Sequence, residues 1–165
     1  MERLRARLAE HALIGLDAGV FIYHVEAHPR YEPLTRCVLR AVERGRPRGV
    51  ASVVAVMELT VHPWRMGRAG VAREVETLLA FFPNLALVDV TRDVARRAAQ
   101  LRARFDVRPA DALHVATALD RGATAFVTND RRLSRLSADI EVLQLDDFLA
   151  DAAGASRRAA PSPDE

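Results

Sequence analysis

The chain has 165 residues, half of them hydrophobic, which is one domain's length with enough apolar material for a core and too much for intrinsic disorder. Its 24 basic residues, all arginine, are nearly matched by 22 acidic ones, leaving a formal net charge of only +2, so nucleic-acid binding can be argued only from local clustering. No apolar run is long enough for a membrane span, and the single Cys37 excludes an internal disulfide or a cysteine-based zinc cluster.

The N-terminus, MERLRARLAEHALIGL, is charged and its apolar run is short, a poor signal peptide, and a cytoplasmic location is expected. Residues 12–16, ALIGL, read as a buried strand, and Val20 to Glu26 as a helix ended by His28-Pro29. From Tyr31 to Arg44 the apolar positions Leu34, Cys37, Val38, Ala41 and Val42 follow helical spacing. GRPRG at 45–49 is a loop, VASV at 50–53 a second strand, and Val54 to Val61 a short helix stopped before Pro63. Arg68 to Phe82 forms a helix closed by Pro83-Asn84. LALVDV at 85–90 is a strand, followed by a helix over Thr91 to Arg104 capped by Thr91. Pro109 opens another helix that runs to about Arg121, with Gly122 after it. TAFVT at 124–128 is a strand, and a short helix precedes the last one, EVLQL at 141–145. Strands alternate with helices, and the strands are continuous apolar runs, the pattern of a three-layer α/β/α fold with a central parallel sheet covered on both faces. The domain is expected over residues 1–150. From Asp151 the composition shifts to DAAGASRRAAPSPDE, read as a disordered tail.

Against that pattern four acids stand out. Asp17 is the only formally charged residue from Ala12 to Tyr23, Glu58 from Val50 to Val61, and Asp111 from Pro109 to Leu119; Asp130 ends an uncharged run begun at Gly122. Acids are seldom buried unless paired. Asp17 and Asp130 close the first and fourth strands, Glu58 lies just beyond the second, and Asp111 is in the first turn of its helix. In open α/β sheets, ligands bind outside the carboxyl ends of the strands, an edge all four can reach. Two carboxylates about 5 Å apart repel by roughly 3 kcal/mol at an effective dielectric near 20. Either some carry protons or a multivalent cation sits among them, and an all-oxygen set favours Mg²⁺ or Mn²⁺ over zinc. Such a site suits phosphodiester hydrolysis. Each acid also has a plainer explanation: Asp17 as a turn residue before Gly19, Glu58 paired with an arginine, Asp111 at a helix N-terminus, Asp130 as an N-cap.

The segments IGLDAGVFIY, ASVVAVMEL, RPADALHVATAL and AFVTND, with LQLDDFL at the end, resemble the PIN-domain ribonucleases, most closely the VapC-like toxins, over roughly residues 10 to 150. The resemblance implies a central parallel sheet and cleavage of RNA with one or two Mg²⁺ or Mn²⁺ ions held by Asp17, Glu58, Asp111 and Asp130. It also implies a supporting hydroxyl at Thr128, a homodimer and a cognate antitoxin. One departure is visible: Ala18 and Gly19 stand where the family usually has Thr or Ser and then Asn or Ser. That supports an alternative, a catalytically weak or inactive RNA-binding or interaction module. Asn129 and His114, one turn past Asp111, are further candidates for support at the site. Arg131, Arg132, Arg46 and Arg48 are candidate phosphate contacts, and Trp64 could stack on a base, meet a partner or pack. No G-x-S-x-G, P-loop, G-x-G-x-x-G or H-E-x-x-H occurs. An aspartyl phosphotransferase would need a second aspartate where Gly19 stands.

Overall fold

The computed structural model describes residues 1–150; the expected tail, 151–165, lies outside the described residues. Five strands form one parallel sheet in the order β3-β2-β1-β4-β5. They are β1 (Leu13–Leu16), β2 (Arg48–Ser52), β3 (Leu85–Val88), β4 (Ala125–Thr128) and β5 (Glu141–Gln144). The helices are α1 (Glu2–Ala9), α2 (Ala18–Val25), α3 (Glu32–Glu43), α4 (Val54–Arg65), α5 (Ala69–Ala80), α6 (Arg92–Phe105) and α7 (Pro109–Asp120), with 3₁₀ turns at Arg131–Leu136 and Leu145–Phe148.

Strand side chains alternate between two cores. Ile14, Leu16, Ala51 and Val127 pack with α1, α2 and α3, while Val50, Val88 and Phe126 pack with α6 and α7. The three-layer α/β/α architecture expected from the sequence is therefore the one observed. Gly15 allows a close approach between layers. A Cβ there would lie 2.5 Å from both Ala118 Cβ and the Phe126 ring, so only glycine lets α7 settle this closely on β1.

The chain builds β2 and β3 on one side of β1, then crosses to place β4 and β5 on the other. Neighbouring strands thus leave β1 and β4 in opposite directions, and a crevice opens at their carboxyl ends. Asp17 lies at that point, its amide bonded to Val127 O at 3.1 Å.

Several elements differ from expectation; β3, for one, ends at Val88 rather than at residue 90. The N-terminal segment, for which the sequence suggests no element, forms α1; Leu4 and Leu8, one turn apart, are fully buried against the α3 side of the core. Helix α2 begins at Ala18, directly after Asp17. Strand β2 starts at Arg48 within the expected GRPRG loop, because parallel pairing to β1 extends to Leu13↔Arg48. Helix α4 runs through Pro63 to Arg65. A proline there forfeits one amide near the helix end, and the turn beyond it is closed by Met66 N–H to His62 O and Arg68 N–H to Pro63 O.

Candidate active site

The carboxyl edge of the sheet collects the four acids from four different junctions. Asp17 is the backbone N-cap of α2, yet its side chain makes no capping hydrogen bond. Instead Oδ2 accepts from the Thr128 hydroxyl at 2.5 Å. Thr128 is fully buried at the end of β4, and its oxygen also accepts from the Asp130 amide at 3.0 Å. One hydroxyl therefore ties the end of β1 to the turn after β4. Burial pushes the Asp17 carboxyl above its ordinary range, against the lowering influence of His114 and of the Thr128 hydrogen bond, and Glu58 adds to the rise.

Glu58 projects from the second turn of α4, which follows β2 almost directly; Ser52 Oγ accepts the Val54 amide at 3.3 Å at the junction. Its Oε2 lies 2.6 Å from His114 Nε2. His114 is buried on α7, and its Nδ1 has no hydrogen-bond partner among the described residues, so Glu58 is the ring's hydrogen-bond contact there.

Asp111 enters from the first turn of α7. Pro109 at the first helical position and extended Arg108 before it set that start. The helix is buried along most of its length, and Asp111 Oδ2 is buried without a hydrogen-bond partner among the described residues. Burial raises its carboxyl, and the charges of Asp17, Asp130 and Glu58 raise it further against a lowering from Arg132. The helix N-terminus favours negative charge, and here that benefit is outweighed.

Asp130 is in a different state. It caps the 3₁₀ turn, Oδ1 accepting the Arg132 amide at 2.9 Å, and both its oxygens accept from the Arg132 guanidinium. That hydrogen bonding holds its carboxyl below the usual range. The plain capping expectation for Asp130 is thus observed together with its placement at the acidic edge.

Asp17, Asp111, Glu58 and Asp130 act on one another electrostatically, but they do not converge on one point. Among the described residues, no three His, Cys, Asp or Glu side chains are grouped as a direct ligand set for an ion. Two of the four already have close partners: Glu58 has His114, and Asp130 has Arg132. Asp17 and Asp111 have no salt-bridge partner among the described residues, and burial outweighs the partial relief that His114 gives Asp17 and Arg132 gives Asp111.

The supporting candidates separate. Thr128 and His114 touch the acids. Asn129 points away, its Oδ1 accepting the Asp146 amide at 3.2 Å. Arg132 is spent on Asp130, and Arg131 reaches Asp146 at 3.3 Å. Arg46 and Arg48 do not belong to this edge. Arg48 opens β2 opposite Leu13, at the amino ends of the strands, so a contact to phosphate at the acidic edge is ruled out for this pair. Trp64 is exposed on α4.

Two residues missed in the sequence complete the surroundings. Asp146, just past β5, accepts from the Tyr31 hydroxyl at 2.8 Å as well as from Arg131, and Tyr31 chiefly holds its carboxyl low. It occupies the same kind of position as Asp17 and Asp130, a signal the LQLDD segment carried. Gln144, the last residue of β5, is buried and donates to Asp130 O at 2.9 Å and Ser134 Oγ at 3.2 Å, fixing the turn that presents Asp130.

Three solved structures share this architecture. A toxin–antitoxin complex from Klebsiella pneumoniae superposes with a TM-score of 0.57 at 18% identity, over 81% of this chain and 97% of that one. VapBC2 from Rickettsia felis, bound to a DNA fragment from its promoter, gives 0.63 at 14% identity over 80% and 98%. DNA-bound VapBC from Salmonella typhimurium gives 0.60 at 21% identity over 81% and 97%. At such identities the likeness is one of fold. No curated protein sequence matches the chain significantly. A sequence model of the PIN domain, however, matches residues 14–139; that stretch is well over half of the chain and includes all four acids, and the chain belongs to the PIN-domain family.

Proposed function

We propose that the protein is a divalent-metal-dependent endoribonuclease, acting as the toxin of a toxin–antitoxin pair. The observation that carries the nuclease reading is Asp111: a half-buried carboxylate with an orphaned Oδ2, pushed up by burial and by three neighbouring acids. A fold does not retain that arrangement for stability. The donors are all carboxylate oxygens, which fits Mg²⁺ or Mn²⁺, and Mg²⁺ characteristically keeps several waters while taking one or two carboxylates. Asp17 and Asp111 would hold it directly, with Glu58 and Asp130 reached through water. The ion would supply charge withdrawal from the phosphodiester and ease deprotonation of the attacking water.

The chain's own groups supply orientation. Thr128 fixes the rotamer of Asp17 through its hydroxyl, and His114 fixes Glu58. The Asp130–Arg132 pair places a guanidinium fork beside the edge, where a scissile phosphate would offer a competing oxyanion acceptor. The antitoxin partner is supported by the structural neighbours, which are toxin–antitoxin complexes. Cytoplasmic location and homodimerisation belong to the same reading; among the described residues, no helix is long and apolar enough to cross a membrane.

The test is cleavage of RNA by the purified chain with Mg²⁺ or Mn²⁺. Asp17→Asn and Asp111→Asn should remain folded and lose cleavage. Cleavage by both variants in EDTA at the parental rate would sink the proposal. A second reading, a non-catalytic RNA-binding module, is favoured by the compensated state of Glu58 and Asp130 and by Ala18-Gly19. Titration with Mg²⁺ and Mn²⁺, followed by thermal shift and calorimetry, separates the two, since the module binds RNA without binding the ions.

A further inference from the structure

The acidic edge leaves most arginines without a role. Arg36 and Arg40 on α3 and Arg44 at its C-cap recur every four residues and are all exposed, so they form one row along a single face. Arg46 follows the row, and Arg5 of α1 faces it across a cleft of about 370 Å³ whose floor includes Leu8, Cys37 and Ala41. Arg36 is paired with Glu32 at 2.6 Å. The side chains of Arg5, Arg40, Arg44 and Arg46 meet no carboxylate among the described residues. Four like charges around one cleft repel, in a protein whose total charge is almost balanced. Their arrangement is the mirror of the acidic edge and calls for an anion.

The row has a direction. Helix α3 begins just after Arg30 and Tyr31, where Arg30 stands 3.8 Å and Arg131 3.3 Å from the same Asp146 carboxylate, with Arg131 next to Asp130 in the chain. It ends before β2, whose first residue lies at the opposite edge of the sheet. A 12-residue helix spans about 18 Å. The arginines therefore lead from the acidic edge across the α1–α3 face. A positively charged groove that tracks the backbone is the electrostatic half of how single-stranded nucleic acid is bound, and the guanidinium fork suits phosphate oxygens.

We propose that the arginine row of α3, with Arg5 and Arg46, is a track for the phosphodiester backbone of single-stranded RNA that leaves the acidic edge past Arg131 and Arg30. This rests on the RNA reading above and gives the isolated GRPRG motif a place. An acidic peptide is the competing occupant. Continuity with the edge that would cut phosphodiesters favours RNA.

The probe is a fluorescent oligouridylate, bound to the full chain carrying Asp17→Asn and titrated by anisotropy over a series of KCl concentrations. For single strands the logarithmic salt slope changes by about 0.7 for each phosphate that the protein neutralises. Adding Arg40→Gln and Arg44→Gln together should make it shallower by about 1.4, that is two phosphates fewer, with the melting temperature unchanged because both residues are exposed. Arg65→Gln with Arg68→Gln, on the α4–α5 connection, should leave it unaltered. An unchanged slope in the α3 pair, or an equal reduction in the α4–α5 pair, overturns the track. So does a polyglutamate peptide whose binding the α3 pair abolishes while the RNA slope stays as it was. The nuclease proposal is judged separately: a reduced slope together with no RNA cleavage by the parent keeps the track and removes the nuclease, and the reverse pattern keeps the nuclease alone.

Discussion

Replacing Thr128 by valine preserves the outline of a fully buried side chain and deletes one oxygen. That oxygen donates to Asp17 Oδ2 at 2.5 Å and accepts from the Asp130 amide at 3.0 Å. A hydrogen bond to a charged group is worth about 1.5–3 kcal/mol, and an amide left unpaired in a buried place costs about 1–3 kcal/mol. The added methyl returns roughly 0.8 kcal/mol. Asp17 and Asp130 are only half-buried, so water recovers part of the deficit, and a net destabilisation of about 2–3 kcal/mol is expected. For a chain of this size each kcal/mol moves the melting point by about 2–4 °C, giving a fall of about 4–12 °C. The same deletion removes an influence that keeps the Asp17 carboxyl down, so it should weaken Mg²⁺ binding and slow RNA cleavage beyond what unfolding explains. Urea denaturation in EDTA measures the first effect, and cleavage rate against Mg²⁺ concentration measures the second. Thr128→Ser keeps the hydroxyl and should recover most of the rate. A valine variant that melts within a degree of the parent and cuts equally well would refute this account, as would a serine variant as impaired as the valine one.

Three further outcomes follow from the same geometry. Asp17 and Asp111 have carboxyls raised above 3.8, so their stabilising share is complete below 3.8 and is lost as pH rises through the raised values; Asp130 and Asp146, held low, lose theirs only as pH falls below 3.8. In EDTA the melting temperature should therefore fall as pH rises above 3.8, and Asp111→Asn should flatten that fall, whereas parallel curves for parent and variant would contradict it. Arg132→Ala unclasps an exposed pair, so it should change stability by less than about 1 kcal/mol while raising affinity for Mg²⁺ or Mn²⁺ by about two- to fivefold in calorimetry; an unchanged affinity would mean that the clasp does not compete with the ion. Gly15→Ala forces a methyl to 2.5 Å from Ala118 and Phe126, both buried, and should destabilise by about 1–3 kcal/mol, read as a melting point about 2–12 °C lower; an unshifted melting point would show that α7 can retreat from β1.

Much was already determined by local sequence. Apolar runs such as AFVT and LALV, broken by capped or proline-led helices, dictate a parallel sheet with two covered faces, because only a buried strand can be apolar on both sides. Isolated acids at the ends of those runs dictate a charged carboxyl edge, because strand direction in a parallel sheet sends every strand's end to the same side. What only the tertiary structure decided is how each acid is partnered. Nothing near Glu58 in sequence announces His114, 56 residues on, and nothing near Asp17 announces the Thr128 hydroxyl, 111 residues on. Those contacts exist because the crossover from β3 brings α7 and β4 against β1. The same holds for the arginines: in sequence, Arg131 is the better placed because it adjoins Asp130 and Arg46 is a weaker candidate, but only the sheet shows that the two lie at opposite edges. Charge and hydrophobicity are properties of single residues and short periods, and can be read in line. Compensation of a charge is a property of distance, and distance is set by the packing of layers.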